Sequence, residues 1–427
     1  MTHGDADARG GPHRAVPAAG ADDPAAPVIG TLEPVLRPYE WGSRTAIPDL
    51  LGIPATGDPV AEAWYGAHPS APSTFRSPAG AVPLTEVIAG DPRGVLGAEV
   101  ADRHGAGLPF LVKLLAADRP LSIQAHPSAA QAAEGFRREE AAGVPLDAPG
   151  RLYRDPHAKP EVVVALEPFD MLCGFREPAE SVELLGRLGA GHLGPVATAL
   201  AAGGPEALRH AAEALRAMGP DDRARATEEV VAGAAAVTDG GFAGACAWLA
   251  RLGRDHPGDI GVLFAVLMSH RRLEPLEACF LPARTLHAYL RGTGVEVMGN
   301  SDNVLRAGLT PKHVAVDELL GILDFRASKP PVLAGPGLAD GGSPREPAWS
   351  YPVPTAEFAV DLIAGDAAVV PTGPEVLVAI AAGSTLHPPG GGPEELPRGR
   401  VVFVGAGVPY GLSGRGTVVR ARVGTAD

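Results

Sequence analysis

The chain has 427 residues, of which 45 % are hydrophobic and 20 % charged, and this composition indicates a globular protein with room for two or three domains. Its formal net charge of -14 argues against a nucleic-acid partner, which normally requires a basic surface, but leaves room for a local Lys/Arg cluster that binds an anionic substrate. No apolar segment reaches the length of a membrane span, so no membrane partner is expected either.

The three cysteines, Cys173, Cys246 and Cys279, are far apart and form no C-x-x-C pair. A sparse, odd count in a long chain is typical of reduced, intracellular proteins. The N-terminus shows no basic stretch followed by an apolar run, so no secretory signal is expected. We therefore predict a cytoplasmic protein, and we see no sign of an obligate protein partner.

Residues 1–27 are rich in Gly, Ala, Asp and Pro, and we predict a disordered tail. From residue 28 to 177, short apolar runs alternate with Gly and Pro, which predicts the first part of a β-rich domain. The texture changes between residues 178 and 270, where apolar residues recur at helical spacing. In one predicted helix, which begins near Pro205 and ends near Gly219, the residues sharing a face are Leu208, Ala211, Ala212 and Leu215.

The pattern returns to short strands in residues 271–326, which we expect to complete the first β domain. Residues 327–350 are rich in Pro and Gly and predict a long linker or loop. Within the C-terminal unit, 327–427, four short strands are predicted at residues 357–363, 375–383, 400–407 and 416–423. Their spacing suggests a sandwich or jelly roll.

The first candidate motif is SIQAHP, in which Gln124 and His126 are two residues apart in a strand-like run. Alternate residues of a strand share a face, so the two side chains would point the same way and could bind a divalent metal. Pro127 would end the strand. Taken alone, this pattern fits a histidine with local hydrogen bonds at least as well.

The second motif is KPEVVVAL, in which Glu161 opens a β-branched run and Lys159 stands two residues earlier. An unpaired carboxylate at the mouth of a buried strand is unfavourable, so a metal or Lys159 would have to compensate it. An edge glutamate facing solvent explains the pattern equally well.

The third motif, residues 283–313, has many polar residues among apolar, strand-like runs. This density is hard to explain as a solvent-exposed surface. His287 and Tyr289 are two residues apart, as are Glu296 and Met298, and NSDN follows. Arg306 and Lys312 then supply two basic side chains.

Together, SIQAHP, KPE, TLHAY and VEVMGNSDNVLRAGLTPKH, with the earlier YEWG and EAWYGAHPSAPS, resemble the ordered signatures of the type I mannose-6-phosphate isomerase family. The resemblance extends from about residue 31 to 320. It implies a mainly β fold with an α-helical insertion, built from two cupin-type (jelly-roll) β domains plus a helical domain. It also implies a zinc-dependent isomerase acting on a phosphorylated hexose.

By this resemblance, one Zn²⁺ per chain is held by Gln124, His126, Glu161 and His287, a donor set that leaves room for substrate or water. Other residues matching the family's pocket are Trp41, Glu62, Lys159, Tyr289, Glu296, Asp302 and Arg306. Of these, we expect Arg306 to stabilise charge on an enediol intermediate, because its guanidinium is a fixed cation with several donors. The phosphate is assigned to Lys113, Ser122 and Lys312.

One position departs from the family pattern: where the family usually has NHKPE, this chain has HAKPE. Ala158 therefore replaces the usual histidine, and His157 lies one residue earlier. On a strand, a shift of one residue points the side chain to the opposite face, so His157 is not expected to substitute.

Three rival functions remain on the sequence alone: an isomerase of another sugar or sugar phosphate, a non-catalytic sugar-phosphate-binding regulator, and a zinc hydrolase. Retention of Lys113, Ser122 and Lys312 favours a phosphorylated substrate, and the presence of all four ligands and Arg306 argues against a regulator. No H-E-x-x-H motif supports a hydrolase.

Overall fold

The computed structural model describes residues 27–328, 330–334 and 348–425. The disordered tail predicted for residues 1–27 lies, apart from residue 27, outside this part of the chain. Within the described ranges, the fold is rich in antiparallel sheet and has one continuous block of helices. None of the helices described is long and apolar enough to cross a membrane.

An 11-stranded sheet, here called the site sheet, carries most of the candidate residues. Its strands are Val35–Arg37, Glu62–Tyr65, Phe110–Ala117, Ile123–Ala125, Glu161–Ala165, Phe169–Phe175, Met268–Leu273, Ala278–Leu281, His287–Gly299, Leu305–Gly308 and Val332–Leu333. The long strand His287–Gly299 lies at its centre, pairing with four other strands.

An 8-stranded sheet, here called the outer sheet, contains the first and the last strand of the described residues. The first described strand pairs with Val401–Val404, with Ile29 opposite Val404. In sheet order, the strands are Ala348–Ser350, Ala359–Ala364, Thr417–Arg422, Glu375–Ala381, Val401–Val404, Ile29–Glu33, Thr74–Ser77 and Gly80–Pro83. The four C-terminal strands predicted from sequence are all present, but three strands from the predicted N-terminal domain also belong to this sheet.

Two small sheets complete the β structure of the described residues. A 4-stranded sheet contains Ala367–Val369, Tyr410–Gly414, Ser384–His387 and Glu394–Leu396, and a 2-stranded one contains Ala67–His68 and Ala71–Pro72. The predicted linker at 327–350 is described only in part, and the described part includes the short strands Val332–Leu333 and Ala348–Ser350.

Strand alternation decides which residues of the site sheet reach the site. Val162 and Val164 pack into the core shared with the outer sheet, together with Val112 and Leu114 of the strand Phe110–Ala117. Residues at the intervening positions, including Val163, point to the opposite face. One β-branched strand thus supplies the core on one side and the candidate site on the other.

The helical block consists of Pro178–Leu188, a 3₁₀ turn at Gly191–Leu193, Gly194–Ala201, Ala207–Ala217, Pro220–Ala236, Ala243–Asp255 and Ile260–Val266. The predicted face of the helix Ala207–Ala217 is buried as expected. The strand Met268–Leu273 begins inside the segment predicted to be helical up to residue 270. The apolar run that starts at Ile260 continues into this strand, so periodicity gave no sign of the change.

Outside this block, the described residues form six further helices: Ala46–Leu51, Leu84–Gly90, Pro92–Leu96, Ala98–His104, Ala129–Ala141 and Val316–Ile322. The helix Ala129–Ala141 begins with a capping box in which Ser128 and Gln131 satisfy each other's backbone N–H groups.

Asp259 connects the helical block to the site sheet. Its Oδ1 accepts hydrogen bonds from the backbone N–H of Gly261, at 2.7 Å, and of Leu309, at 3.0 Å. Leu309 has a left-handed backbone with φ +57°, and a side chain at Gly308 would overlap the Asp259 carboxylate. The turn after the strand Leu305–Gly308 is therefore held by the last helix of the block.

A buried ion-pair network in the outer sheet gives a first testable prediction. Asp361 is 1 % exposed and accepts hydrogen bonds from Nε of Arg420, at 2.8 Å, and of Arg422, at 2.9 Å. Burial alone would raise the pKa of Asp361, but the two guanidinium groups outweigh it and hold this pKa below its usual value. Asp361→Asn should lower the free energy of unfolding at pH 7 by about 3 kcal/mol, because two half-buried guanidinium groups lose their shared, buried counter-ion.

The stabilisation by Asp361 is present above the unfolded-state pKa of about 3.9 and is lost as the pH falls through the lower folded-state pKa. Urea unfolding of both proteins at pH 7 and pH 3.5 should therefore show a smaller difference at the lower pH. A difference that stays constant would contradict the assigned pKa shift.

Candidate active site

A large cavity of about 1390 Å³ opens over the site sheet. Every residue that the sequence assigned to catalysis or substrate binding lines this cavity, and so do the predicted ligands Gln124 and Glu161. The other two predicted ligands, His126 and His287, are buried next to Glu161. Residues from six strands and several loops thus converge on one space.

The pairing of strands explains how distant residues meet. Across three neighbouring strands, Arg306 lies opposite Gln124, and Gln124 lies opposite His287. Lys113 likewise lies opposite Glu296. These pairs bring together the motifs that the sequence places more than one hundred and fifty residues apart.

The long strand His287–Gly299 changes face along its length. Its pairing with Phe169–Phe175 shifts by one residue, since Tyr289 lies opposite Met171 whereas Arg291 lies opposite Asp170. This β-bulge reverses the alternation. As a result Tyr289, an odd-numbered residue, and Glu296, an even-numbered one, both line the cavity.

Three ionisable side chains form a candidate metal centre: His126, Glu161 and His287, whose ligand atoms lie within 4.8 Å of one another. Nε2 of His126 is 3.2 Å from Oε1 of Glu161, and Nε2 of His287 is 3.2 Å from Oε2. The side-chain amide of Gln124 lies beside them, with its nitrogen 3.5 Å from Nε2 of His287. Rotation of the amide by half a turn would present its oxygen to the cluster.

The hydrogen bonds of the two histidines prepare them to act as ligands. Nδ1 of His126 donates to the carbonyl of Asn303, at 2.6 Å, and Nδ1 of His287 donates to the carbonyl of Thr285, at 2.9 Å. Each imidazole therefore keeps its proton on Nδ1 and turns the lone pair of Nε2 towards Glu161. Burial, followed by the charge of Lys159, lowers the pKa of His126 to about 4, so this ring is neutral at pH 7.

The fit to a cation is visible in the buried atoms that have no partner. Nε2 of His126 and Oε2 of Glu161 are buried and make no hydrogen bond with described residues. Burial alone would raise the pKa of Glu161, but the ammonium group of Lys159 keeps this pKa well below its usual value. A carboxylate and two imidazole lone pairs facing one another form a donor set that suits zinc or a similar divalent ion.

Two lysines are buried around this cluster. Nζ of Lys159 is 3.0 Å from Oε1 of Glu161. The sequence suggested either Lys159 or a metal to compensate the charge of Glu161, and the structure places both the lysine and a candidate metal site beside this carboxylate. Nζ of Lys113 is 2.9 Å from Glu296 and 3.7 Å from Glu62. Two carboxylates thus surround the ammonium group of Lys113, which the resemblance assigned to the phosphate, and their negative charge opposes the approach of an anion.

Asn303 was not predicted as a site residue, although NSDN was noted as polar. Its side chain is fully buried and accepts a hydrogen bond from the backbone N–H of Arg154, at 2.7 Å. It donates in turn to the carbonyls of Asp155, at 2.8 Å, and His157, at 3.0 Å. Because its own carbonyl accepts from His126, Asn303 links the metal cluster to the segment 154–157.

The position that departs from the family pattern, Ala158 in place of the usual histidine, lies outside any strand. Residues 157–160 precede the strand that begins at Glu161. The argument from strand alternation therefore does not apply to His157. Even so, His157 is exposed and does not line the cavity, so it does not take the place of the missing histidine at Ala158.

His68, which lies in the sequence EAWYGAHPSAPS, contacts a candidate catalytic residue. Its Nε2 lies 3.4 Å from Oδ1 of Asp302, and its Nδ1 accepts from the backbone N–H of Ser70, at 3.2 Å. His68 is therefore placed to orient the Asp302 side chain at the edge of the cavity. The hydrogen bond from His68 outweighs burial and lowers the pKa of Asp302.

Comparison with known proteins places the chain in a family. Residues 29–178 match the family model for phosphomannose isomerase type I, catalytic domain. The mannose-6-phosphate isomerase of Escherichia coli is 39 % identical over 326 residues, covering 76 % of this chain and 81 % of that protein. Mannose-6-phosphate isomerase 2 of Arabidopsis thaliana is 31 % identical over 440 residues, covering 92 % of each chain.

A solved structure agrees with the sequence relatives. The crystal structure of the Salmonella typhimurium mannose 6-phosphate isomerase, bound to its substrate fructose 6-phosphate and a zinc atom, matches with a TM-score of 0.84 and 33 % identity. The match covers 93 % of this chain and all of that one. Since the sequence match to the bacterial relatives extends over most of both chains, this chain belongs to the type I phosphomannose isomerase family, whose members are also named mannose-6-phosphate isomerases.

Proposed function

We propose that the chain is a zinc-dependent aldose–ketose isomerase that interconverts mannose 6-phosphate and fructose 6-phosphate through an enediol intermediate. The observation that carries this proposal is the buried His126–Glu161–His287 cluster beside a cavity lined with basic residues. The Salmonella relative, described as bound to fructose 6-phosphate and zinc, supports the same substrate and metal.

Gln124, His126, Glu161 and His287 are proposed to hold one zinc ion per chain. When bound, this ion supplies a Lewis acid that polarises the sugar carbonyl. The protein fixes the orientation of both imidazoles through their Nδ1 hydrogen bonds to backbone carbonyls. It also keeps Glu161 ionised through the neighbouring ammonium group of Lys159.

The proton that moves between C1 and C2 needs groups that can accept and return it. Lys159, Tyr289, Glu296 and Asp302 line the cavity and are proposed for this work and for orienting the sugar hydroxyls. Burial raises the pKa of Glu296, with Lys113 opposing this effect. Burial, followed by the charge of Glu296, also raises the pKa of Tyr289, so its hydroxyl remains a neutral donor that faces Glu296.

Arg306 is proposed to stabilise the negative charge that develops on the enediol oxygen. It lies one strand away from Gln124 and forms no ion pair with a described residue. Its guanidinium therefore has free donors, and a fixed cation in a sheltered cavity acts strongly on charge that appears only in the transition state.

The phosphate is proposed to contact Ser122 and Lys312, while Trp41 and Glu62 line the rest of the sugar pocket. Lys113 is reassigned from the phosphate to holding Glu296 and Glu62 in place. The finer assignments are also proposals. The first is a pair of cupin-type domains, of which the N-terminal one is interrupted by the helical block; the antiparallel site and outer sheets support it. The second is a cytoplasmic location, supported by three buried free thiols.

A coupled isomerase assay tests this function directly. The purified protein should convert mannose 6-phosphate to fructose 6-phosphate and the reverse, lose this activity after chelation, and regain it with zinc. Free mannose and other aldose phosphates serve as parallel substrates. Preference for one of these would indicate an isomerase of another sugar, and binding without turnover in the zinc-loaded protein would indicate a regulator.

A further inference from the structure

Three cationic side chains stand along one part of the cavity: Arg154, Arg306 and Lys312. Their charged groups make no ion pair and no hydrogen bond with another described residue. In the same cavity, the ammonium groups of Lys113 and Lys159 are both paired with carboxylates. Burial, followed by the charge of Arg154, lowers the pKa of Arg306. Burial, followed by the charges of Arg306 and Arg154, lowers the pKa of Lys312.

The position of Arg154 in this cluster is fixed by its backbone. Its N–H donates to the side-chain oxygen of the fully buried Asn303, at 2.7 Å. Asn303 comes three residues before Arg306, so the two arginines are held next to each other at the start of the strand Leu305–Gly308. Arg154 itself is exposed to the cavity and is free to contact a ligand.

The carboxylates around the cluster are Asp155, Asp302 and Glu62, and each has another partner; Glu62, whose charge acts on Lys312, pairs with Lys113. Asp155 accepts hydrogen bonds from the backbone N–H groups of Asp302, at 2.8 Å, and His157, at 3.0 Å. Asp302 contacts His68. Three neighbouring cations without a dedicated counter-ion repel one another, and a bound dianion would relieve this repulsion.

We propose that Arg154 is a ligand of the substrate's phosphate group, acting together with Lys312. This inference rests on the proposed function and replaces Lys113 in the assignment made from sequence. Arg306 then stands between the phosphate site and the metal cluster, because its strand pairs with the one that carries Gln124. Two donors of a planar guanidinium suit two phosphate oxygens, and the Lys312 ammonium adds a second positive charge.

This arrangement also gives a reason for substrate selection. A phosphorylated sugar offsets most of the positive charge of the cluster, whereas a free sugar fills the pocket but leaves the three cations repelling one another. Discrimination against unphosphorylated hexoses would therefore come from both the attraction that they lack and the repulsion that they leave in place.

Kinetics of Arg154→Ala with mannose 6-phosphate test the proposal. KM should rise about 10- to 100-fold, the range expected for loss of a charge-assisted contact, and kcat should change less than about threefold because the phosphate is remote from the reacting carbons. Arg154→Lys should recover part of the loss. The matched control is Arg119→Ala, since Arg119 is an exposed arginine of the same cavity and is not part of the cluster.

Calorimetric titration with inorganic phosphate gives a second readout, independent of turnover. The zinc-loaded Arg154→Ala protein should bind phosphate more weakly than the unmodified protein and the Arg119→Ala control. An unchanged KM and unchanged phosphate affinity in Arg154→Ala, with an active parent enzyme, would overturn the inference. Failure of the parent enzyme to isomerise mannose 6-phosphate would instead overturn the proposed function.

Discussion

Replacing Glu161 with alanine is expected to reduce the zinc content of the purified protein from one per chain to nearly none. Glu161 contacts both histidines at 3.2 Å and is the only carboxylate in the cluster of described residues. Without it, two imidazoles and an amide remain, and the buried Lys159 adds uncompensated positive charge that opposes a cation. Elemental analysis of dialysed protein measures this loss, and isomerase activity should disappear with the metal.

The buried charge of Lys159 also means that Glu161→Ala could unfold, so Glu161→Gln should be measured beside it. Glutamine keeps the volume and one acceptor but removes the charge. Glu296→Gln is the matched control, because Glu296 is another buried carboxylate of the cavity that pairs with Lys113 rather than with the histidines. Full zinc content in a folded Glu161→Ala or Glu161→Gln protein would refute the metal assignment.

For Arg306→Ala, we expect turnover to fall by about 10²–10³-fold while substrate binding changes much less. The reason is that Arg306 is proposed to act on charge that exists only in the transition state. Arg306→Lys should recover little, because a flexible ammonium does not reproduce the planar fork of donors. Turnover, KM, zinc content and Tm should be measured on the same preparation.

The rival explanation for Arg306 is that it is a structural ion-pair partner of Asp302 or Glu296. The structure gives both carboxylates other contacts, since Glu296 pairs with Lys113 and Asp302 contacts His68. Removal of the Arg306 side chain should therefore leave Tm nearly unchanged. A folded, zinc-loaded Arg306→Ala enzyme with near-normal turnover would remove this residue from the mechanism.

Much of the site could be predicted because strands alternate faces in a regular way. Gln124 lies on a short strand and Glu161 opens a β-branched one, as the sequence indicated. Helical spacing likewise predicted the buried face of the helix Ala207–Ala217. These features depend on local periodicity, which a single sequence contains in full.

The bulge in the strand His287–Gly299 could not be predicted in this way. Strict alternation would put Tyr289 and Glu296 on opposite faces, and only the shifted pairing with Phe169–Phe175 brings both to the cavity. The resemblance to a family gave the correct grouping, but the physical cause depends on a distant strand. The sharing of one sheet by the first and last strands is non-local in the same sense.

The ion-pair partners of charged residues could not be predicted from the sequence either. Lys113 and Arg154 are both basic residues near polar motifs, and sequence alone does not show which of them has carboxylate neighbours. Lys113 is paired with Glu296 across two strands, whereas Arg154 is positioned through Asn303, almost one hundred and fifty residues away. Charge pairing of this kind follows from tertiary contacts rather than from any motif.

The hydrogen bond from Leu309 to Asp259 couples substrate binding to the local stability of the helical block. Lys312 lies three residues after Leu309, and Asp259 caps the helix Ile260–Val266. A ligand that fixes the turn carrying Lys312 therefore also opposes local opening of that helix. By reciprocity, the closed helix strengthens ligand binding by the same free energy. Amide hydrogens of this helix should consequently exchange more slowly in the presence of sugar phosphate, although none of its residues lines the substrate cavity.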